Sequence, residues 1–347
     1  MVSLVLHLFI HDTDASIALQ KPPLITFTEI KFDLPASRDL WLAKSATFWR
    51  DLYLKSQSSS PSNPPPTLIE AMHNPESLLQ HYPAIDTQLT TLTLLHGFWG
   101  QIHSLLDSKK FYPAQKATHR LCLVTAHTEL YRDLVSFSAS LSPASPRTIL
   151  IAHLLMMILH APPEDLQRFA GKSGEDEARK ASSELAVWAA MPEARVAVWH
   201  AGQVLRVARC LVQAQLRGFN AIAVYYAALA LWVYGLMSPG SNHKTGLSAA
   251  GIERGGREVV LNEKETAGVR DFRASGEGVP GLMVDEEFVR LTATNGILRV
   301  ARDMYRGNFP VVDEGLPPLV ENLGNLLRDL GEGPGSRISR APSEGVA

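Results

Sequence analysis

The chain has 347 residues, 46% of them apolar and 20% charged, which is enough apolar content to bury a large core without disulfide or metal staples and excludes a disordered or collagen-like chain. Lys plus Arg (33) against Asp plus Glu (35) leaves a net charge of −2, without the basic excess expected of a stand-alone nucleic-acid binder. Two cysteines, Cys122 and Cys210, exclude a four-thiolate zinc site, and with no N-x-S/T sequon and no signal peptide the expected compartment is a reducing one.

The N-terminal run MVSLVLHLFI is apolar but lacks a basic leader and a small-residue cleavage site, so it reads as an element inside a fold. Residues 24–32, LITFTEIKF, follow Pro22-Pro23 and are the one strand-like segment, equally readable as an extended connection. Trp41, Trp49 and Tyr53 then fall on consecutive short helices, the second capped by Ser45, and are expected to form a core layer. Residues 56–66, rich in Ser and Pro, predict a solvated loop.

Helical periodicity dominates the middle. In 84–107, Leu92, Leu95, Trp99, Ile102 and Leu106 share one helix face; in 115–140, Leu121, Val124, Tyr131, Leu134 and Val135 form a similar stripe. Residues 149–159, which include His153, are apolar but too short to span a bilayer. In APPEDLQRFAG the prolines precede first-turn acids Glu164 and Asp165, and Gly171 supplies the stop; Ser173 is read as the cap of the next helix, and Pro192 and Glu193 open another. Residues 221–237 run without a charge at the lower edge of transmembrane length, but their Ala and Tyr content favours a central buried helix over a membrane span. A Gly/Ser-rich exposed loop is expected at 238–257 and a floppy tail at 331–347.

The expected architecture is all-α: ten to twelve helices stacked as hairpins in one domain over 1–330, with Trp99, Val124, Leu155, Val204, Tyr225 and Trp232 in the core. No motif in the chain assembles chemistry. His7 and His11 have metal-ligand spacing but no partner ligands close in sequence. His127-x-Glu129 is half of a deaminase signature without its P-C-x-x-C half. Gly171-Lys172-Ser173 ends like a phosphate loop, but Leu166 stands where the first glycine belongs. Catalytic, cofactor-binding and metal residues are therefore expected to be none.

Three stretches carry a family resemblance. FIHDTDASIALQKPPLITFTEIKFDLPASRDLW, with Asp12, Pro22-Pro23, Pro35 and Trp41 and a following helix bearing Trp49, is similar to the regulatory region of fungal-specific zinc-cluster and zinc-finger transcription factors, the middle homology or xylanolytic-activator-type domain. VWHAGQVLRVARC followed by LRGFNAIAVYYAALALWVYGLM resembles the C-terminal helices of long members at His200, Gly202, Arg206, Arg217, Tyr225, Trp232 and Tyr234. ILRVARDMYRGNFPV…LPPLVENLGNLLRDL is the third match.

The resemblance implies a helical regulatory module of a transcription regulator, in the nucleus, with protein partners and room for a small-molecule effector. Zinc is implied only for the family's N-terminal DNA reader, which two cysteines cannot build, and the match starts almost at Met1. The chain is thus expected to be the C-terminal portion of such a factor, reaching DNA only through a missing domain or a partner, with no membrane contact. The alternative is a stand-alone helical partner of an intact factor; an all-α enzyme or a membrane-associated protein ranks lower.

Overall fold

A computed structural model describes residues 2–58, 66–112, 117–140, 144–238, 256–310 and 315–332. Most of the expected loop at 56–66, nearly all of that at 238–257 and the tail beyond Glu332 lie outside the described residues. The chain is predominantly helical, with fourteen α-helices among the described residues and one small sheet. It divides into two compact units, Met1–Leu155 and Met156–Ala347.

The first unit is built on α5 (Thr87–Phe111), which starts where the Asp86 carboxylate accepts the Leu89 N–H at 2.9 Å. Leu94, Leu95, Trp99 and Ile102 are buried on it and pack against Leu6, Phe9, Ile10 and Ile17 of α1 (Val2–Leu19). Aromatic and branched side chains at helical spacing supply the burial that holds this helix pair together. After α1 the chain is clasped by Asp12, whose carboxylate accepts the N–H groups of Leu24 and Ile25, both at 2.9 Å. That clasp and the two prolines remove the donors a ladder would need, so 24–32 contains a 3-10 turn (Phe27–Glu29), closed by a Thr26/Glu29 capping box, instead of a strand.

Short helices α2 (Arg38–Trp41) and α3 (Ala46–Ser58) follow, with Ser45 Oγ accepting the Phe48 N–H as expected of a cap. The predicted aromatic core layer is not formed. Trp41 is 60% exposed, and Trp49 and Tyr53 stack on each other at 5.1 Å on an outer face. Pro35 is buried beside them in sequence, its carbonyl accepting the Asp86 N–H.

α4 (Leu68–His73) lies on α5, and α6 (Ala117–Ser140) returns along it. The stripe expected to bury α6 is out of register. Only Leu134 and Phe137 are buried, whereas Leu121 and Val124 are 67% and 56% exposed. Val124 is therefore not a core residue. α6 has two apolar faces, and the one carrying Leu121, Val124 and Val135 points to solvent. α7 (Pro146–His160) runs from this unit into the next.

In the second unit α8 (Pro163–Phe169), α9 (Glu175–Ala189), α10 (Pro192–Ala208), α13 (Thr294–Asn308) and α14 (Pro318–Glu332) pack on α11 (Phe219–Met237). α11 and α1 are each long and apolar enough to cross a membrane, but 78% of the apolar span of α11 is buried, as a central helix would be. Val204 and Trp232 here, and Leu155 at the end of the first unit, are buried as expected, whereas Tyr225 is only half-buried. α8 ends at Gly171, with φ 93°, and α9 opens on Gly174, with φ 88°. Ser173 does not cap: the acids Glu175, Asp176 and Glu177 serve the helix start instead.

The unit also contains three strands not expected from the sequence: β1 (Glu258–Val260), β2 (Val279–Val284) and β3 (Glu287–Arg290). β1 and β2 are parallel, with Val259 opposite Pro280 and α12 (Ala267–Ser275) between them in the chain; β2 and β3 form an antiparallel hairpin. The hairpin turns through Asp285 and Glu286 at φ 47° and 69°, the left-handed pair that a two-residue connection requires. The segment rests on α10 and α11 where two helical glycines allow it. A Cβ on Gly202 would sit 2.4 Å from Leu261 O, and one on Gly235 would sit 2.0 Å from Leu291 O.

Candidate functional site: a groove between two long helices

A long cleft lies within the first unit, between α5 and α6, and has a volume of about 880 Å³. It exists because the N-terminal part of α6 stands away from α5, while Leu134 and Phe137 anchor its C-terminal part. The floor is apolar. Phe98 and Phe137 meet at 5.5 Å between ring centres, and Leu105 and Leu130 extend the surface. Phe27 and Met72 complete it by lying on α5 at Gly97, where a Cβ would come within 2.5 Å of Met72 Cε. Along α5 the lining runs from Phe98 to Ser108, roughly 15 Å, and along α6 from Cys122 to Phe137, roughly 22 Å.

The edge is polar and acidic. Glu129 and Asp133 stand one turn apart on α6, and the lining contains no Lys or Arg. Arg132 reaches the two acids only at 3.7 and 3.9 Å, in exposed positions where such pairs contribute little. Across the groove His73 donates from Nδ1 to Ile69 O at 2.8 Å, which makes the neutral ring's Nε2 an acceptor. Cys122 contributes an exposed free thiol. The arrangement offers a long greasy trough with negative charge along one side: it can hold an apolar face and attract a cation, and among the described residues that line it no nucleophile is paired with a base.

Between α1 and α5 lies a buried polar centre that the sequence reading missed. His96, in the apolar run TLTLLHGFW, has Nδ1 2.6 Å from Leu92 O and Nε2 2.9 Å from Asp14 Oδ1. Both ring nitrogens are thus taken up by oxygen partners. Arg147 stands 3.6 Å from the other Asp14 oxygen. The ring is closed on both sides and offers no nitrogen to a substrate. Alongside, Trp99 Nε1 donates to Ser16 Oγ at 2.7 Å. A histidine in a buried helix segment without a charged residue is the signal that could have revealed this centre.

The remaining singled-out residues are structural or solvent-facing. His7 and His11 are exposed on α1, and among the described residues no three His, Cys, Asp or Glu side chains converge to hold a metal. Lys172 donates to Gln167 Oε1 at the end of α8. Asp12 and Pro35 fix the connections described above. His200 is buried with its ring 6.5 Å from that of His160. Arg206 donates to Gln203 Oε1 at 2.6 Å, and Gln203 Nε2 donates to the carbonyls of Leu261 and Glu263, which ties the sheet to α10. Trp232 meets Phe169 at 5.4 Å. Burial pushes the Tyr225 phenol up to about 12. Arg217, Trp41 and Trp49 are exposed.

No family model matches this chain, and no curated protein or solved structure shows significant similarity to it.

Proposed function

We propose that this chain is a non-catalytic helical regulatory and interaction module of a transcription regulator, working in the nucleus through protein partners that bind along α6. One observation carries the reading: α6 is a 24-residue helix that buries only Leu134 and Phe137 and keeps two further apolar surfaces available, the groove and the outer seam of Leu121, Val124 and Val135. Exposed apolar patches of that extent mark interaction sites in soluble proteins, and an apolar groove with acids on its edge suits an amphipathic helix bearing basic residues. The three family-like stretches, in family order, support the transcriptional setting. The two-cysteine composition favours a second reading, a stand-alone partner that joins an intact factor.

The test is a tethered reporter. Fused to an unrelated DNA-binding domain, the chain changes reporter transcription, and Leu121→Asp with Val124→Asp, or Leu130→Asp, abolishes the change while the folded protein still accumulates. A folded, promoter-bound fusion that leaves transcription at the level of the DNA-binding domain alone would refute the proposal. A stand-alone partner would instead act only when the intact factor is present.

A further inference from the structure

We propose that the cleft between α13 and α14 is a binding site for a small phosphate-bearing metabolite, held as a dianion by Arg299, Arg302 and Arg328. The site lies wholly in the second unit and is independent of the groove on α6.

The sequence places the donors. Asn295, Arg299 and Arg302 follow one another at spacings of four and three on α13, so they share a face. That face looks onto α14 at Leu327, Arg328 and Gly331. Leu298 and Leu327 are buried and form an apolar floor, which lowers the local dielectric under the guanidinium groups. Gly331 brings α14 close to α13 at the mouth, where a Cβ would stand in ordinary contact, 3.6 Å from Asn295 Oδ1 and 3.7 Å from Leu298 Cδ1. The space enclosed is about 280 Å³.

The arginines are under-used by the fold itself. Among the described residues, Arg299 and Arg302 have neither an ion pair nor a hydrogen-bond partner, although Arg302 is half-buried. Arg328 has only long contacts, to Asp329 at 3.5 Å and Glu332 at 4.0 Å, and its buried Nε lacks a hydrogen-bond partner. Three guanidinium groups face one lining acid, Glu332, and Arg328 also touches Asp329 just outside the lining, so the cleft keeps a positive excess. A phosphate monoester carries about −1.5 to −2 at neutral pH, its second proton leaving near pH ~6. Guanidinium forks bind phosphate oxygens in pairs and stay charged throughout that range. Donors lining the cleft from two helices can reach more than one oxygen of a tetrahedral group. The volume lies at the small end for ligand sites, which calls for a compact metabolite and not a peptide. A dicarboxylate shares the charge and is the competing source.

Titration calorimetry on the full chain tests this with three probes at constant ionic strength: inorganic phosphate, glycerol 3-phosphate and succinate. The expected result is saturable one-to-one binding of both phosphates, strengthening as pH rises through ~6. Arg302→Gln and, separately, the more exposed Arg299→Gln should each weaken it about tenfold or more, the scale of one charge-assisted hydrogen bond. Melting of the ligand-free variants should match the parent, and Arg299→Gln keeps the test decisive if Arg302→Gln does not fold. Phosphate binding that never saturates, or that both variants leave unchanged, overturns the proposal. Succinate binding more tightly than glycerol 3-phosphate with the same sensitivity to the variants also overturns it, in favour of a carboxylate site.

Discussion

Replacing Gly202 by alanine should weaken the second unit, although the same change usually strengthens a helix. In an unobstructed helix interior Gly→Ala gains about 1 kcal/mol from backbone entropy. At Gly202 the new Cβ would lie 2.4 Å from Leu261 O and 2.6 Å from its carbonyl carbon, roughly 1 Å inside van der Waals contact. The obstacle is backbone, so no rotamer change relieves it; β1 and the residues after it must move off α10. That movement stretches the bonds from Gln203 Nε2 to Leu261 O at 2.8 Å and Glu263 O at 2.7 Å, each with a net value of about 1 kcal/mol. Overpacking costs about 1–3 kcal/mol on top. Subtracting the entropic gain leaves a net loss of about 2 kcal/mol, or a fall of roughly 4–8 °C in the melting of a unit this size. Gly324, on α14 of the same unit, has nothing within 4 Å of its Cβ position, so Gly324→Ala should raise melting by roughly 2–4 °C. Calorimetry on the two variants checks both signs. If they shift melting in the same direction, the close approach of the sheet to α10 does not exist.

Asp14→Ala should destabilise the first unit by about 1–3 kcal/mol, because it removes the hydrogen-bond partner of buried His96 and leaves Arg147 facing an empty site; denaturation followed by Trp99 emission, in a protein whose other indoles are replaced by phenylalanine, measures it. On α6, Val124→Asp should stay within about 0.5 kcal/mol of the parent whereas Leu134→Ala should cost about 2–5 kcal/mol, and the opposite order would restore the register read from the sequence. Alkali should unfold the second unit before the first. Burial raises the phenols of Tyr225, to about 12, and of Tyr305, so the folded state holds protons that the unfolded chain releases near 10.0. The stability tied to those phenols is intact below pH 10 and drains away between 10 and about 12. Tyr225→Phe should flatten that loss in a pH series of urea melts.

What could be read in the sequence was set by how local the determining contacts are. α5 and α11 were legible because Leu95, Trp99 and Ile102 on one, and an uncharged 221–237 on the other, announce burial through their own periodicity. α6 was legible as a helix but not in its orientation. Periodicity finds an apolar face without saying what covers it, and α6 has two such faces. Trp41 and Trp49 misled for the same reason, since an indole is large and apolar whether or not anything packs on it. The sheet was hidden because β1 is three residues long, β2 contains Pro280 and Gly281, and the hairpin turns on Asp285 and Glu286 where Gly or Asn would have flagged a left-handed pair. The groove and the arginine cleft depend on residues far apart in the chain, such as Phe27 with Phe137 and Arg302 with Arg328, which no single window displays.

The connection from α10 to α11 is held from a distance by the end of α13. Asn308 accepts the Leu216 N–H at 2.8 Å through its side chain and the Ala214 N–H at 2.8 Å through its carbonyl, and the Tyr305 hydroxyl donates to Ala221 O at 2.7 Å. Anyone trimming a gene for expression should respect that latch. A product stopped ahead of Tyr305 would keep every residue of the central helix yet lose the fastening at its entry, so no trimmed second unit should end before Asn308, and α14, which packs on the same helix, belongs with it.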